Sequence, residues 1–138
     1  MPQATTRARP TGPPGYSQTL PRKPESAAPA RRLTDAALCC WGLGELADDG
    51  ALVVSELVAN AVQYARRESI RVVVERVSER TVRVAVTDFS RELPVVCRAG
   101  DGDEGGRGLL LVAALASDWG TDTHRWGKVV WADLEGRG

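Results

Sequence analysis

The chain has 138 residues, enough for one domain with a substantial core and too few for two of ordinary size. Its formal net charge is zero, but residues 1–32 carry six basic side chains against one acidic, leaving twelve basic against seventeen acidic in the remainder. A mildly acidic body argues against DNA or RNA as a direct partner. The apolar stretch Leu109 to Ala116 falls far short of the ~18 residues of a membrane span, and the first residues lack the apolar region of a secretion signal. A soluble, cytoplasmic protein with no membrane partner is expected.

Seven of the eight prolines fall within the first thirty residues, among Gly, Ser, Thr and Arg. Such a segment buries too little apolar surface to offset its ordering entropy, so residues 1–15 are expected to form a disordered tail ahead of a domain at 16–135. Tyr16 to Leu20 reads as an added edge strand, since an edge tolerates the proline that follows. From Ala30 the period is helical, through Leu33, Ala36, Ala37, Cys40 and Trp41, and it stops near Gly42 and Gly44. A second helix runs from about Leu46 to Ala65, with Val53, Val54, Leu57, Val58 and Ala61 on its core arc.

The period then falls to two. Ile70, Val72 and Val74 alternate with polar neighbours, and after a turn at Ser78 to Arg80 so do Val82, Val84 and Val86, which makes an antiparallel hairpin. A connection of about sixteen residues, Phe89 to Glu104, exceeds the usual loop length and reads as a functional lid. Gly105, Gly106 and Gly108 then open a helix through Ala116. Two strands follow, near Ser117 to Thr121 and Lys128 to Leu134, about a turn at Arg125 to Gly127. This order predicts an α+β fold: a two-layer sandwich with helices on one face of a mixed, mainly antiparallel sheet.

Three places carry chemistry. Glu56 and Asn60 lie within ~40° of each other on the second helix, at the edge of its apolar arc. An amide oxygen there is a hard ligand for Mg²⁺, and a carboxylate beside it can orient or deprotonate a nucleophile. Asp88 ends its strand with the parity of Val82, Val84 and Val86, so it is expected on the buried face, where a carboxylate needs a donor such as an exocyclic amino group. Gly105 to Gly108 let the backbone approach a phosphate, and the helix start at Leu109 adds free N–H groups. Arg107 can reach a phosphate directly. The lone His124 has no partner in sequence for a catalytic or metal role, and Trp41, Trp119, Trp126 and Trp131 read as packing residues. The three cysteines, Cys39, Cys40 and Cys97, form no disulfide framework or spaced metal cluster, and read as free thiols or small apolar fillers.

In this order, the segments WGLGELADDGALVVSELVANAVQYA (Trp41 to Ala65), VAVTD (Val84 to Asp88), EGGRGLLLVAALASDWG (Glu104 to Gly120) and GKVVWADL (Gly127 to Leu134) resemble the GHKL, or Bergerat-fold, ATPases. Within that superfamily they resemble the anti-sigma-factor serine kinases, in particular short stand-alone actinobacterial regulators. The resemblance implies an ATP site between helices and sheet. Asn60 would hold Mg²⁺ at the phosphates and Glu56 would be the general base. Asp88 would take the adenine amino group, while Gly106, Arg107, Gly108 and Leu109 would line the phosphates. It also implies a partner, an anti-anti-sigma factor phosphorylated on serine or a sigma factor, held on a surface that includes Arg31 and Arg32. By analogy with relatives a homodimer is expected.

Two departures from the family pattern stand out. Asp88 is followed by Phe89-Ser90-Arg91-Glu92 in place of an Asp-x-Gly-x-Gly run, so the adenine-side loop must take another course. Val129 follows Gly127-Lys128 where the family commonly has threonine, which removes a hydroxyl expected to help bind adenine. The lid acids Asp101, Asp103 and Glu104 would repel a triphosphate unless magnesium, Arg98 or Arg107 offset them. Two functions therefore stand side by side: a serine/threonine kinase acting on an anti-anti-sigma partner to control transcription, and a catalytically idle module whose bound nucleotide gates capture of a regulator.

Overall fold

A computed structural model of the chain describes residues 6–8, 14–64, 67–89 and 103–137. Strands β1 (Thr6–Ala8) and β2 (Gly15–Pro21) lead through a short 3-10 turn at Pro24–Ser26 into helix α1 (Ala27–Cys40). A second 3-10 turn, Gly44–Leu46, precedes α2 (Ala47–Tyr64), and the hairpin β3 (Ser69–Arg76) and β4 (Thr81–Phe89) follows. The chain closes with α3 (Asp103–Leu115), β5 (Asp118–His124) and β6 (Gly127–Glu135).

Buried Ala30, Thr34, Ala37 and Leu38 recur at helical spacing on α1, and the Thr34 hydroxyl is satisfied by donating to the Ala30 carbonyl at 2.9 Å. The helix stops because Gly42 takes a left-handed φ of 70°, which costs glycine nothing. The Leu43 N–H then reaches the Leu38 carbonyl at 2.8 Å and the Gly42 N–H that of Cys39 at 3.2 Å, a Schellman closure. In α2, Asp48 and Asp49 complement the positive helix start.

The six strands form one sheet in the order β1-β2-β3-β4-β6-β5. Every pairing is antiparallel, the pure form of the mainly antiparallel sheet expected. The strand expected at Tyr16 to Leu20 is β2, but β1 pairs with it on the outside, so it is not the edge. Thr6–Ala8 is thus a strand inside the tail expected to lack structure, where alternating Thr6, Arg7 and Ala8 offer backbone groups to β2.

Helix α2 is central, with α1 and α3 beside it and β4 and β6 beneath. Ile70, Val72, Val74, Val82, Val84, Val86, Val130, Ala132 and Leu134 point from the sheet into this layer, against Val53, Val54, Leu57 and Val58 of α2. Truncating one such residue, for example Leu57→Ala, removes on the order of 2–5 kcal/mol. The opposite face of the sheet carries no helix among the described residues. There Arg83 makes a two-pronged ion pair with Asp133 (2.7 and 3.0 Å) while its guanidinium lies 4.1 Å above the Trp131 ring. Glycine at 120 makes room for that indole, since a Cβ would come within 2.9 Å of it.

Candidate functional site

Asp88 is the last inward residue of β4. It sits 5% exposed on the helix side of the sheet, in line with Val82, Val84 and Val86, as its parity predicts. Its neighbours across the ladder are Ile70 on β3 and Lys128 on β6. Burial pushes the Asp88 carboxyl above the ordinary carboxylate range, and the charge and backbone N–H of Lys128 only partly draw it back. A buried carboxylate in that condition remains open to a further donor.

Glu56 and Asn60 are both half-buried on α2, one turn apart and next to the fully buried Leu57 and Val53. The chain leaves α2 at Tyr64 and enters β3 at Ser69, and Ile70 lies opposite Asp88, so the C-terminal turns of α2 and the end of β4 belong to the same end of the sandwich. Of the two, Asn60 is the nearer to that end. Arg22 braces the exit, donating from Nε to the Arg67 carbonyl at 2.7 Å and from Nη1 to that of Val62 at 3.1 Å. This clamp was not foreseen, because it joins segments forty residues apart.

The glycine cluster lies differently from its expected place. The helix starts at Asp103, not at Leu109, so Gly105, Gly106, Arg107 and Gly108 are wound into the first turns of α3. The unpaired N–H groups move with the helix start to its first turn at Asp103. Half-buried Leu109 packs on the core rather than opening the helix. The Arg107 side chain and the lid residues 90–102, with Arg98 and Asp101, lie outside the described residues.

The register corrects a second expectation. Val129 pairs with Thr87, whose side of the sheet is opposite to that of Asp88, so a hydroxyl at 129 would point away from the nucleotide side. The residue that faces Asp88 is Lys128. In sequence, Lys128 does share parity with Val130, Ala132 and Leu134, but the non-local pairing that brings it to Asp88 is not written in any local pattern.

Other candidates fall outside this site. Arg31 and Arg32 are exposed on α1, and Arg31 donates to the Ser55 hydroxyl at 3.1 Å. His124 stacks on Trp126 with ring centroids 4.6 Å apart. Trp41 and Trp119 pack on the core as expected, whereas Trp126 is 45% exposed. Cys39 and Cys40 are exposed free thiols, not apolar fillers.

The donor set suits a metal-bound nucleotide: a hard amide oxygen and a carboxylate on α2, and a buried carboxylate acceptor at the end of β4 suited to an amino group. The two-layer sandwich with this end defines a nucleotide-binding class of domain. Residues 20–134 match the family model of the histidine kinase-like ATPase domain, and the chain belongs to this GHKL-type family of ATP-binding domains. Among solved structures it is similar to the histidine kinase domain of the blue-light activated histidine kinase EL346 from Erythrobacter litoralis, with 26% identity and a TM-score of 0.52. That match covers 84% of this chain and 61% of the other, so the chain spans about three-fifths of the length of that domain. No curated protein matches it. Among the described residues no helix is long and apolar enough to cross a membrane.

Proposed function

We infer that this domain binds Mg-ATP in a regulatory protein and transfers the γ-phosphoryl group to a serine on an anti-anti-sigma partner, thereby controlling transcription. The observation that carries the nucleotide half of this reading is Asp88, a buried carboxylate of raised affinity for protons on the helix side of the sheet. An adenine amino group would add a second donor beside the Lys128 N–H. Asn60 would hold the magnesium through its amide oxygen. The metal would draw charge from the phosphate oxygens when bound. The Glu56 carboxylate would take the proton of the serine hydroxyl as its oxygen bonds to the γ-phosphorus, with ADP leaving.

The alternative is an idle module in which nucleotide gates capture of a sigma factor or other regulator in the cytoplasm. Lys128 supplies Asp88 with a resident cation, and the glycines meant for the phosphates are wound into α3. Both bear on nucleotide binding, which the two readings share, rather than on proton transfer. Calorimetry with Mg-ATP, followed by radiolabel transfer to candidate anti-anti-sigma partners, separates the readings. Binding with transfer supports the kinase, and binding with no transfer to any partner leaves the module. No binding at all overturns both.

A further inference from the structure

The row that carries Asp88 is backed, on the other face of the sheet, by a stack of rings. On the helix side Asp88 stands between Ile70 of β3 and Lys128 of β6. Arg71 follows Ile70 and Phe89 follows Asp88, so strand alternation turns both to the helix-free face. There the Arg71 guanidinium lies 5.4 Å from the centroid of Phe89, and Phe89 meets the Trp126 indole with centroids 5.7 Å apart. Trp126 in turn stacks on His124 at 4.6 Å, the two planes within 5°. All three contacts fall in the range where aromatic pairs, or a cation over a ring, attract. The four side chains therefore make one continuous ladder from β3 to β5.

The main core does not depend on this ladder. Trp126 is 45% exposed, Arg71 and His124 are exposed, and Phe89 is half-buried outside the core cluster. What the ladder does hold is the last residue pair between β4 and β6. Phe89 lies opposite Gly127, one step beyond the pair of Asp88 with Lys128. Gly127 is buried with a φ of 149°, a conformation open to glycine, and it carries the chain from Trp126 to Lys128. The contact of Phe89 with Trp126 spans that terminal pair. It ties the residue after Asp88 to the turn that delivers the Lys128 N–H to the Asp88 carboxylate. Strand ends without such a tie open at little cost. A hydrogen bond weakens steeply with distance and angle, so a carboxylate on a loose strand end discriminates poorly among ligands.

We infer that Phe89 and Trp126 are positioning residues for adenine recognition, their stack holding the end of β4 so that Asp88 meets the purine 6-amino group. The inference rests on the adenine reading of Asp88. It adds to that reading two residues that do not touch the nucleotide, since they lie on the opposite face of the sheet.

Calorimetry with Mg-ATP and with the magnesium complex of purine riboside triphosphate, which carries hydrogen where ATP carries the 6-amino group, isolates that group. Wild type should prefer ATP by at least ~10-fold. Trp126→Ala and Phe89→Leu should hold their affinity for the analogue within about twofold while losing affinity for ATP, so that the preference falls to about threefold or less. Trp126→Phe keeps a ring between Phe89 and His124 and should keep most of the preference. Trp126 is largely solvent-facing, so its variants should fold, with circular dichroism as the check.

Loss of affinity for both nucleotides alike in Trp126→Ala would mark a merely structural role and overturns the inference. So does a preference that Trp126→Ala leaves at the wild-type value, in which case the adenine reading of Asp88 stands alone. A Trp126→Phe variant as indifferent as the alanine one also overturns it, because the ring is then not what positions Asp88. If wild type itself binds the two nucleotides equally, or binds neither, the adenine reading fails and the inference falls with it.

Discussion

Asp88 of β4 lies directly opposite Lys128 of β6, where the Lys128 backbone N–H and charge both act on a carboxylate that is only 5% exposed. The two residues are forty positions apart, and their meeting depends on the crossover through α3 that places β6 beside β4. Burial raises the carboxyl pKa more than Lys128 lowers it. The end of the sheet therefore holds a buried carboxylate that favours its protonated form, and that is the physical basis for the first two predictions below.

Asp88→Asn should weaken ATP binding and strengthen the empty fold. Removing a charged acceptor from the adenine amino group costs on the order of 1.5–3 kcal/mol, about 10- to 100-fold in affinity by calorimetry. The stability effect has the opposite sign. Because the folded pKa lies above the unfolded one, the folded state binds the proton more tightly, and wild-type stability falls as pH rises through the folded pKa. Asparagine escapes that loss. Denaturant titrations should show the variant more stable than wild type above the folded pKa, with the gain fading as pH drops towards ~3.9, where the unfolded carboxyl also protonates.

Lys128→Thr tests whether the lysine competes with the nucleotide for Asp88. With the cation removed, the carboxyl should titrate higher still, since Lys128 is what lowers it. ATP affinity should rise by roughly two- to fivefold, the scale of a partly solvated ion pair of ~0.5–1 kcal/mol. A fall in affinity would instead make Lys128 a ligand contact. Val129→Thr, whose side chain lies on the other face, should leave affinity within about twofold.

Much of this arrangement was legible in the residues. Strict alternation in β3 and β4 set the hairpin and the inward face of Asp88, because period two admits only one face for residues 82, 84, 86 and 88. Helical spacing placed Glu56 and Asn60 at the border of the α2 core. What local pattern does not carry is the pairing of β4 with β6, so the hydroxyl missing at Val129 reads as a loss on the adenine side when the register puts Lys128 there. The glycine cluster misled for a different reason. Three glycines weaken a helix without forbidding one, and the apolar run from Leu109 extends its turns back across them to Asp103.

Gly106→Ala with Gly108→Ala should separate the empty and bound states of α3. Each alanine favours helix by about 1 kcal/mol, so the melting temperature of the nucleotide-free protein should rise by a few degrees. If phosphate binding requires these positions to leave the helix or to bring backbone close to the ligand, Mg-ATP affinity should drop in the same variant. Higher stability with unchanged affinity would remove Gly106 and Gly108 from the phosphate site and leave the helix start at Asp103 as the remaining backbone donor.

Asn60 and Glu56, one turn apart on α2, should fail in different experiments. Asn60→Ala removes a hard oxygen ligand, so the stabilisation of the fold by Mg-ATP should shrink towards that given by ATP with chelator, following the logarithmic dependence on ligand over dissociation constant. Glu56→Ala should leave that stabilisation in place, because a general base contributes to the moving proton and not to ground-state binding. Phosphoryl transfer to a serine partner should fall by about 10² to 10⁴ in this second variant. Equal transfer by Glu56→Ala and wild type would end the base assignment while leaving the nucleotide site intact. If neither protein transfers phosphate but only Asn60→Ala loses the thermal shift, the pair serves a site that binds and gates, and Glu56 stands idle beside a working magnesium ligand.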